Sequence, residues 1–453
     1  MSSRRDRGPV RRPQETAQER VAVIPLGRFR TENSQAAATG GNDTLLRSIL
    51  LAAVFLLLWI SLHPFVSLGD PDELTETGST ANQIAYSLLL VLLAAWCFAH
   101  DPSRLLVLLR PVFVAMLLWF VLTVATSWEP ALSARRLIFT LISMSIAAMV
   151  LLLPTNQRHF AGVMATVVLA VLAACYLGVL LAPALTVHQT SDLAEPELAG
   201  DWRGVFSHKN EASVAMVLFF FIGMFVARVR SLILGGLIVV SALVFLLFTQ
   251  SKTAIAMLPI TLLVTALINR IRRPAIGIGL GLLVVGAFVI LSIGSLYSEQ
   301  VRDLLDMILP DASFTGRTDI WQFALDHIAQ RPITGYGFAA FWGTHEVVYG
   351  MSGNSVWANA VAHAHNAYLN LALTVGIPGS LLVTAWLVVL PLIDFYRGPA
   401  DPAALPLKLL FLRTCMYAAC ASCFESLLLQ EGGLFLFTAA FGLRFLSLAR
   451  IKP

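Results

Sequence analysis

The stretch "SLILGGLIVVSALVFLLFT", residues 231–249, contains no charged side chain and is long enough to cross the hydrocarbon core of a membrane. In lipid, its backbone N–H and C=O groups find no water and must bond to one another, as a helix of about 20 residues allows. Similar apolar runs recur along the 453-residue chain, which is 57% hydrophobic and 13% charged, whereas soluble proteins carry about 25% charged residues. The sequence therefore predicts an all-α polytopic membrane protein.

Twelve such runs are candidate transmembrane helices. The first follows a long polar segment, which is not the pattern of a cleavable signal peptide. The predicted spans are about 46–66, 82–99, 104–126, 134–153, 160–183, 212–228, 231–249, 252–269, 274–297, 366–392, 405–426 and 432–448.

The spans divide the chain into four parts. Residues 1–44 are polar and basic, so we expect a disordered cytoplasmic tail, whose arginines either contact anionic lipid or only help to set the topology. Residues 45–297 hold helices 1–9, and residues 366–453 hold helices 10–12 and a short cytoplasmic C-terminus. Residues 298–365 form a large periplasmic loop whose aromatic and apolar content predicts folding against the membrane surface.

Basic residues give the orientation, because cytoplasmic loops carry an excess of Lys and Arg. With the N-terminus inside, 22 of the 31 basic residues are cytoplasmic and eight are not, while Arg413 falls within a span. Arg413 either pairs with Glu425 or Glu431, or reaches the cytoplasmic surface with its long side chain. Both termini are therefore expected in the cytoplasm.

All five cysteines lie within predicted spans, so disulfides in the outer loops are excluded. The spacing of Cys415, Cys420 and Cys423 resembles that of an iron–sulfur ligand set. Inside a membrane helix, small buried packing residues are the favoured interpretation.

Seven of the eight basic residues on the outer face lie in compact motifs. An anionic ligand held at this face is the simplest reason for charges that oppose the topology rule. The motifs are "SARR" (133–136), "DWRGVFSHKN" (201–210), "SKT" (251–253), "GRTDIW" (316–321) and "RPITGYG" (331–337).

Arg317 precedes a predicted helix at Thr318–Ala329, which carries an apolar stripe at i, i+3, i+4 and i+8. A cation beside a helix N-terminus is unfavourable by itself, but it becomes favourable when the cation and the free N–H groups face a phosphate. The alternative is an ion pair with Asp311 or Asp319.

A second polar group lies in "HAHNAYLNLALTVGIPG", residues 363–379. His365 opens a span at the outer face, where a histidine can act as a general base toward a hydroxyl group. The alternative is a structural histidine. Gly376 and Pro378 are expected to loosen or kink the helix that follows. No carboxylate cluster with metal-ligand spacing accompanies His365, so no catalytic metal or other cofactor is expected.

Together these motifs resemble the O-antigen ligase and Wzy-type polymerase superfamily, and are most similar to ExoQ-like exopolysaccharide production proteins. The likeness extends over about Leu105–Leu448. It implies a C-type glycosyltransferase-like fold of about twelve helices in the bacterial inner membrane, with the active site facing the periplasm. It also implies transfer of glycan from an undecaprenyl-diphosphate-linked oligosaccharide to a hydroxyl of an acceptor glycan.

By this resemblance Arg203 and Arg317 bind the diphosphate and His365 activates the acceptor, so these three are the predicted catalytic residues. His208 is interpreted as structural support. Further candidate binding residues are Lys209, Lys252, Asn210, Asn366, Arg136, Arg331, Trp321 and Tyr336.

Three functional alternatives remain open at this point. Polymerisation of exopolysaccharide repeat units is preferred over ligation to lipid A core or protein. A lipid-linked sugar transporter would place its charges near the bilayer midplane, in two matching halves, and no such halves are visible. The expected partners are the lipid-linked donor, the acceptor glycan, membrane lipids and a chain-length regulator, with no nucleic acid.

Overall fold

The described part of the chain is helical. A computed structural model describes residues 34–60, 80–100, 102–192, 195–308, 314–345, 347, 363–429 and 433–448. Over these residues the β-structure is limited to one isolated antiparallel bridge between Val187 and Trp202. The helices are α1 (Ser34–Ile60), α2 (Thr80–His100), α3 (Pro111–Ala125), α4 (Pro130–Val150), α5 (Gln157–Leu181), α6 (Lys209–Val229), α7 (Leu232–Phe248), α8 (Lys252–Arg270), α9 (Pro274–Gly294), α10 (Glu299–Ile308), α11 (Phe314–Gln330), α12 (Ala367–Thr384), α13 (Leu390–Arg397), α14 (Leu405–Ala421) and α15 (Gly433–Leu448).

Eight of the described helices are long and apolar enough to cross a membrane, and a ninth span results if the short 3-10 helix Pro102–Leu108 is joined to α3. Each of the twelve predicted spans overlaps a helix, although α7, α14 and α15 are shorter than a full crossing. The structure thus confirms a multi-pass α-helical protein. The number of twelve crossings stays a prediction.

The predicted span 104–126 is bent rather than straight. The 3-10 helix Pro102–Leu108 meets α3 at an angle of 85°. Pro111 begins α3, and Arg110 before it has an extended backbone (φ −81°, ψ 151°), because a residue that precedes proline avoids the helical region. The guanidinium of Arg110 makes two bonds to Asp394 of α13, at 2.7 and 2.8 Å, which hold the bend against α13.

The break in α12 explains why two of the motifs occur together. Gly376 has φ +72° and ψ 171°, so the helix is interrupted there and carbonyl groups of the preceding turn are released. The carbonyls of Leu373 and Thr374 accept the N–H groups of Tyr336 and Gly337, at 3.0 and 2.9 Å. The "GYG" of one motif therefore satisfies backbone groups that the "GIPG" of the other leaves open, as backbone away from water requires.

The described cysteines are neither paired in disulfides nor grouped as metal ligands. All five belong to the described part of the chain, are buried and form no disulfide there. In the described part of the chain no three His, Cys, Asp or Glu side chains lie together as metal ligands. The packing interpretation of these residues fits their surroundings.

We predict that Gly376→Ala destabilises the protein by about 2–3 kcal/mol, because the backbone conformation at this position is nearly restricted to glycine. An added Cβ would also collide with the carbonyl of Ile333. Thermal unfolding of the purified protein in detergent measures the effect. Gly279→Ala is the matched control, since an added Cβ there meets open space. An equal loss of stability in both variants would contradict the special requirement for glycine at position 376.

Candidate active site

The segment around His365 is fixed by the turn that follows α14. Asn366 caps α12, because its side-chain oxygen accepts the N–H groups of Tyr368 and Leu369, both at 3.1 Å. Its amide nitrogen donates to the Cys423 carbonyl at 2.9 Å. The Asn366 side chain is almost fully buried, so its visible task is structural, and a substrate contact for it stays a prediction.

Helix α11 supports the same segment from the other side. The indole N–H of Trp321 donates to the carbonyl of Ala364 at 2.9 Å, and Trp321 is completely buried. The predicted apolar stripe faces inward, with Ile320 and Ala324 among its buried residues. The helix begins at Phe314 rather than Thr318, so Arg317 lies within the first turn and not before it.

Glu425 lies at the centre of this arrangement. Its Oε1 is 3.0 Å from Nη2 of Arg317, and its Oε2 is 3.6 Å from Nδ1 of His365. Nη1 of Arg317 also donates to the Phe424 carbonyl at 2.7 Å. Burial raises the pKa of Glu425, but the charge of Arg317 and the contact with His365 outweigh burial and bring the pKa to about 2. The carboxylate is therefore ionised at neutral pH.

The backbone at His365 aims the imidazole. His365 has φ +48°, an unusual value for a residue with a side chain, and its N–H donates to Nδ1 of His363 at 3.2 Å. Burial, together with the charge of His365, lowers the pKa of His363 to about 4. His363 is thus neutral at physiological pH and serves as an acceptor that stabilises the His365 backbone.

The "SHKN" residues build the start of α6. Nδ1 of His208 accepts the N–H of Asn210 at 3.1 Å, and Nε2 of His208 lies 2.7 Å from Glu195. Nζ of Lys209 lies 2.7 Å from Asp201. His208 is therefore a helix cap, and Lys209 has a carboxylate partner of its own.

Arg203 and Lys252 adjoin this helix start. Arg203 is almost fully buried, and its Nη1 donates to the Phe206 carbonyl at 3.3 Å. Asn210 contacts Ser251 through its side-chain oxygen at 3.5 Å, and Lys252 is the first residue of α8. The motifs "DWRGVFSHKN" and "SKT" therefore meet at one end of the helices.

This end also faces the His365 segment. The hydrogen bond from His208 lowers the pKa of Glu195, and the charge of His365 lowers it further. The charge of His208 likewise contributes to the lowered pKa of His363. Charges of the two segments act on one another, so the segments lie near each other, and a common site for the motifs from 200–210 and 363–366 stays a prediction.

Arg331 lies away from Arg317 and the His365 segment. It follows α11, whose 17 residues span about 25 Å, whereas Arg317 lies in the first turn of that helix. Its guanidinium stacks on Trp128 at 4.8 Å and on Tyr336 at 5.2 Å. Arg136 donates to the Ala339 carbonyl beside them. These three predicted binding residues, Arg136, Arg331 and Tyr336, form a second group about 20 Å from Arg317 along the helix.

Glu425 is the central residue that sequence reasoning missed. From the sequence, Glu425 is expected only as a partner of Arg413, and Asp311 or Asp319 are expected as partners of Arg317. The structure corrects the first pairing, because Glu425 contacts Arg317 and His365 and makes no ion pair with Arg413. Asp311 and Glu431 lie outside the described residues. The available signal was an acidic residue at the outer end of a predicted span.

Comparison with known proteins gives two matches. Residues 237–384 match the family model described as O-antigen ligase. The exopolysaccharide production protein ExoQ of Rhizobium meliloti (strain 1021) is 28% identical to this chain over 104 residues, which is 21% of this chain and 23% of that protein. The family match includes Lys252, Arg317 and His365, while Arg203 and Glu425 lie outside it.

We predict that Asn366→Ala costs about 2–4 kcal/mol, because it removes a helix cap and leaves the buried Cys423 carbonyl without its donor. Asn156→Ala is the control: Asn156 caps α5 through His159 at an exposed site, so its loss should cost about 1 kcal/mol. Thermal unfolding in detergent compares the two variants. Equal losses would mean that the bond to Cys423 contributes nothing.

Proposed function

We propose that this multi-pass membrane protein transfers glycan from undecaprenyl diphosphate to a hydroxyl group of an acceptor glycan, and the match of residues 237–384 to the family model described as O-antigen ligase supports this proposal. The observation that carries the proposal is the approach of Arg317 and His365 to the same carboxylate, Glu425. Arg317 suits an anionic leaving group, and His365 suits a hydroxyl nucleophile. Their juxtaposition is what such a transfer requires.

In the proposed reaction the acceptor oxygen attacks the anomeric carbon of the donor sugar. The bond from that carbon to the phosphate oxygen breaks, and the diphosphate leaves as an anion that needs no proton. Arg317 and Arg203 stabilise its charge, with Lys209 and Lys252 as further cations. His365 takes the proton of the acceptor hydroxyl. No step uses a metal or another cofactor.

The second basic group is assigned to the glycan rather than to the diphosphate. Arg331, Arg136 and Tyr336 lie about 20 Å from Arg317 along α11, too far to share a diphosphate with it but within reach of an oligosaccharide. Trp321 and Asn366 act in this proposal through the backbone of the His365 segment, since both donate hydrogen bonds that hold it. Asn210 joins the two basic motifs at the starts of α6 and α8.

Polymerisation of exopolysaccharide repeat units is the preferred form of this activity, supported by the likeness to an exopolysaccharide production protein. Ligation to lipid A core or protein is the second candidate, supported by the description of the family model. An inner-membrane location is part of the proposal, and the excess of basic residues on one side supports cytoplasmic termini and a periplasmic active site. A chain-length regulator is a proposed partner.

We expect Arg317→Ala and His365→Ala each to abolish polymer formation in cells while leaving membrane insertion intact. Loss of a group that stabilises the leaving charge costs about 100- to 1,000-fold in rate, and loss of a general base about 100- to 10,000-fold. Arg302→Ala is the control, because Arg302 is an exposed arginine of α10. Polymer of normal length in the Arg317→Ala strain would eliminate the diphosphate role.

Enzyme and transporter are separated by an assay without compartments. Purified protein in detergent is given lipid-linked repeat units, and the glycan products are sized on a gel. We expect longer glycans, and the same yield after addition of a chelator, because no metal takes part in the proposed reaction. Unchanged substrate would favour transport, and loss of product with the chelator would contradict metal-free catalysis.

A further inference from the structure

We propose that Glu425 is a positioning residue that sets the tautomer of His365, so that Nδ1 carries the proton and Nε2 is free to act as the base. This inference rests on the proposed function, because it explains how His365 becomes a base. Glu425 lies outside residues 237–384, which match the family model. The resemblance drawn from the sequence motifs gives it no role either.

The geometry assigns the two nitrogens of His365. Nδ1 is buried, accepts or donates no hydrogen bond within the described residues, and points toward Oε2 of Glu425 at 3.6 Å. An ionised carboxylate can only accept, so a proton on Nδ1 is favoured there and leaves a lone pair on Nε2. Contacts of this kind are often long without substrate and shorten when the substrate binds.

Glu425 is held too firmly to act only as a counter-ion that follows Arg317. The backbone carbonyl of Glu425 accepts the N–H of Ala367 at 3.1 Å, and the neighbouring carbonyl of Phe424 accepts from Arg317. These bonds fix the backbone from which the carboxylate extends between its two partners, one oxygen toward each. The residue can therefore orient His365 while Arg317 stays in place.

The charges around His365 single out Glu425 as its stabilising partner. Besides Glu425, the described groups near His365 include His363 on the same segment, Arg317 on α11, and Glu195 and His208 on the segment before α6. Of the carboxylates of Glu425 and Glu195, only that of Glu425 lies within 4 Å of the His365 ring. When His365 takes a proton from the acceptor, Glu425 stabilises the imidazolium that forms.

Glu425→Gln gives a sharp test because Arg317 dictates how the new amide lies. A guanidinium only donates, so the amide oxygen must face Arg317 and the NH₂ group must face Nδ1 of His365. The NH₂ group donates to Nδ1 and moves the imidazole proton to Nε2, which leaves no base. We expect kcat to fall at least about 100-fold, with little change in KM for the donor because Arg317 keeps an acceptor.

The pH–rate profile adds a readout that packing damage would not move. Loss of the carboxylate removes a charge that favours protonated imidazole, so the acidic limb of any residual activity should move to lower pH. Glu425→Asp, which keeps the charge, should retain more activity than Glu425→Gln. Its acidic limb should stay at the wild-type pH. Glu299→Gln, the same substitution at an exposed site of α10, should change neither rate nor profile.

A measurement independent of activity separates failure of this inference from failure of the proposed function. Nitrogen-15 NMR of histidine-labelled protein distinguishes a protonated from a bare imidazole nitrogen. We expect the proton of His365 on Nδ1 in the wild type and on Nε2 in Glu425→Gln. A wild-type proton on Nε2, or no change in the variant, overturns the role of Glu425. The expected tautomers without glycan transfer would instead contradict the proposed reaction. The wild-type spectrum alone can overturn the role of Glu425, even if the variant does not fold.

Discussion

The ion pair between Arg317 and Glu425 joins parts of the chain that are far apart in sequence. A buried carboxylate is costly unless cations and hydrogen bonds compensate its charge, and Arg317 provides both at 3.0 Å. The turn after α14, the first turn of α11 and the segment before α12 meet at this point. The position of His365 depends on the pair, because the same turn holds Asn366 and the same helix holds Ala364 through Trp321.

Residues 335–337, which follow α11, are held by a second constraint, the satisfaction of backbone groups away from water. The break at Gly376 releases carbonyl groups that a continuous helix would use internally, and the "GYG" residues bond to them. The kink therefore has a structural purpose: it provides the acceptors that fix the end of α11. The two ends of that helix are held by different means, charge at one and backbone pairing at the other.

Local patterns predict the helices well and the long-range contacts poorly. Each of the twelve apolar runs overlaps a helix, because hydrophobic length is a property of one segment. The bend at Arg110 follows from Pro111 but escapes a hydropathy count. The partner of Arg317 is not predictable from spacing, since Glu425 lies more than a hundred residues away. The distance between Arg317 and Arg331 becomes clear only when one helix is seen to separate them.

Three of the bonds that hold the His365 segment share one property: their acceptors are main-chain oxygens. Asn366, Trp321 and Arg317 donate to the carbonyls of Cys423, Ala364 and Phe424. A carbonyl oxygen is present whatever side chain its residue carries. These hydrogen bonds therefore require the donor side chains but place no demand of their own on the side chains of Cys423 and Phe424. Within this turn, Glu425 is the residue whose side chain contacts both Arg317 and His365, and a single residue of this kind forms no motif that spacing would reveal.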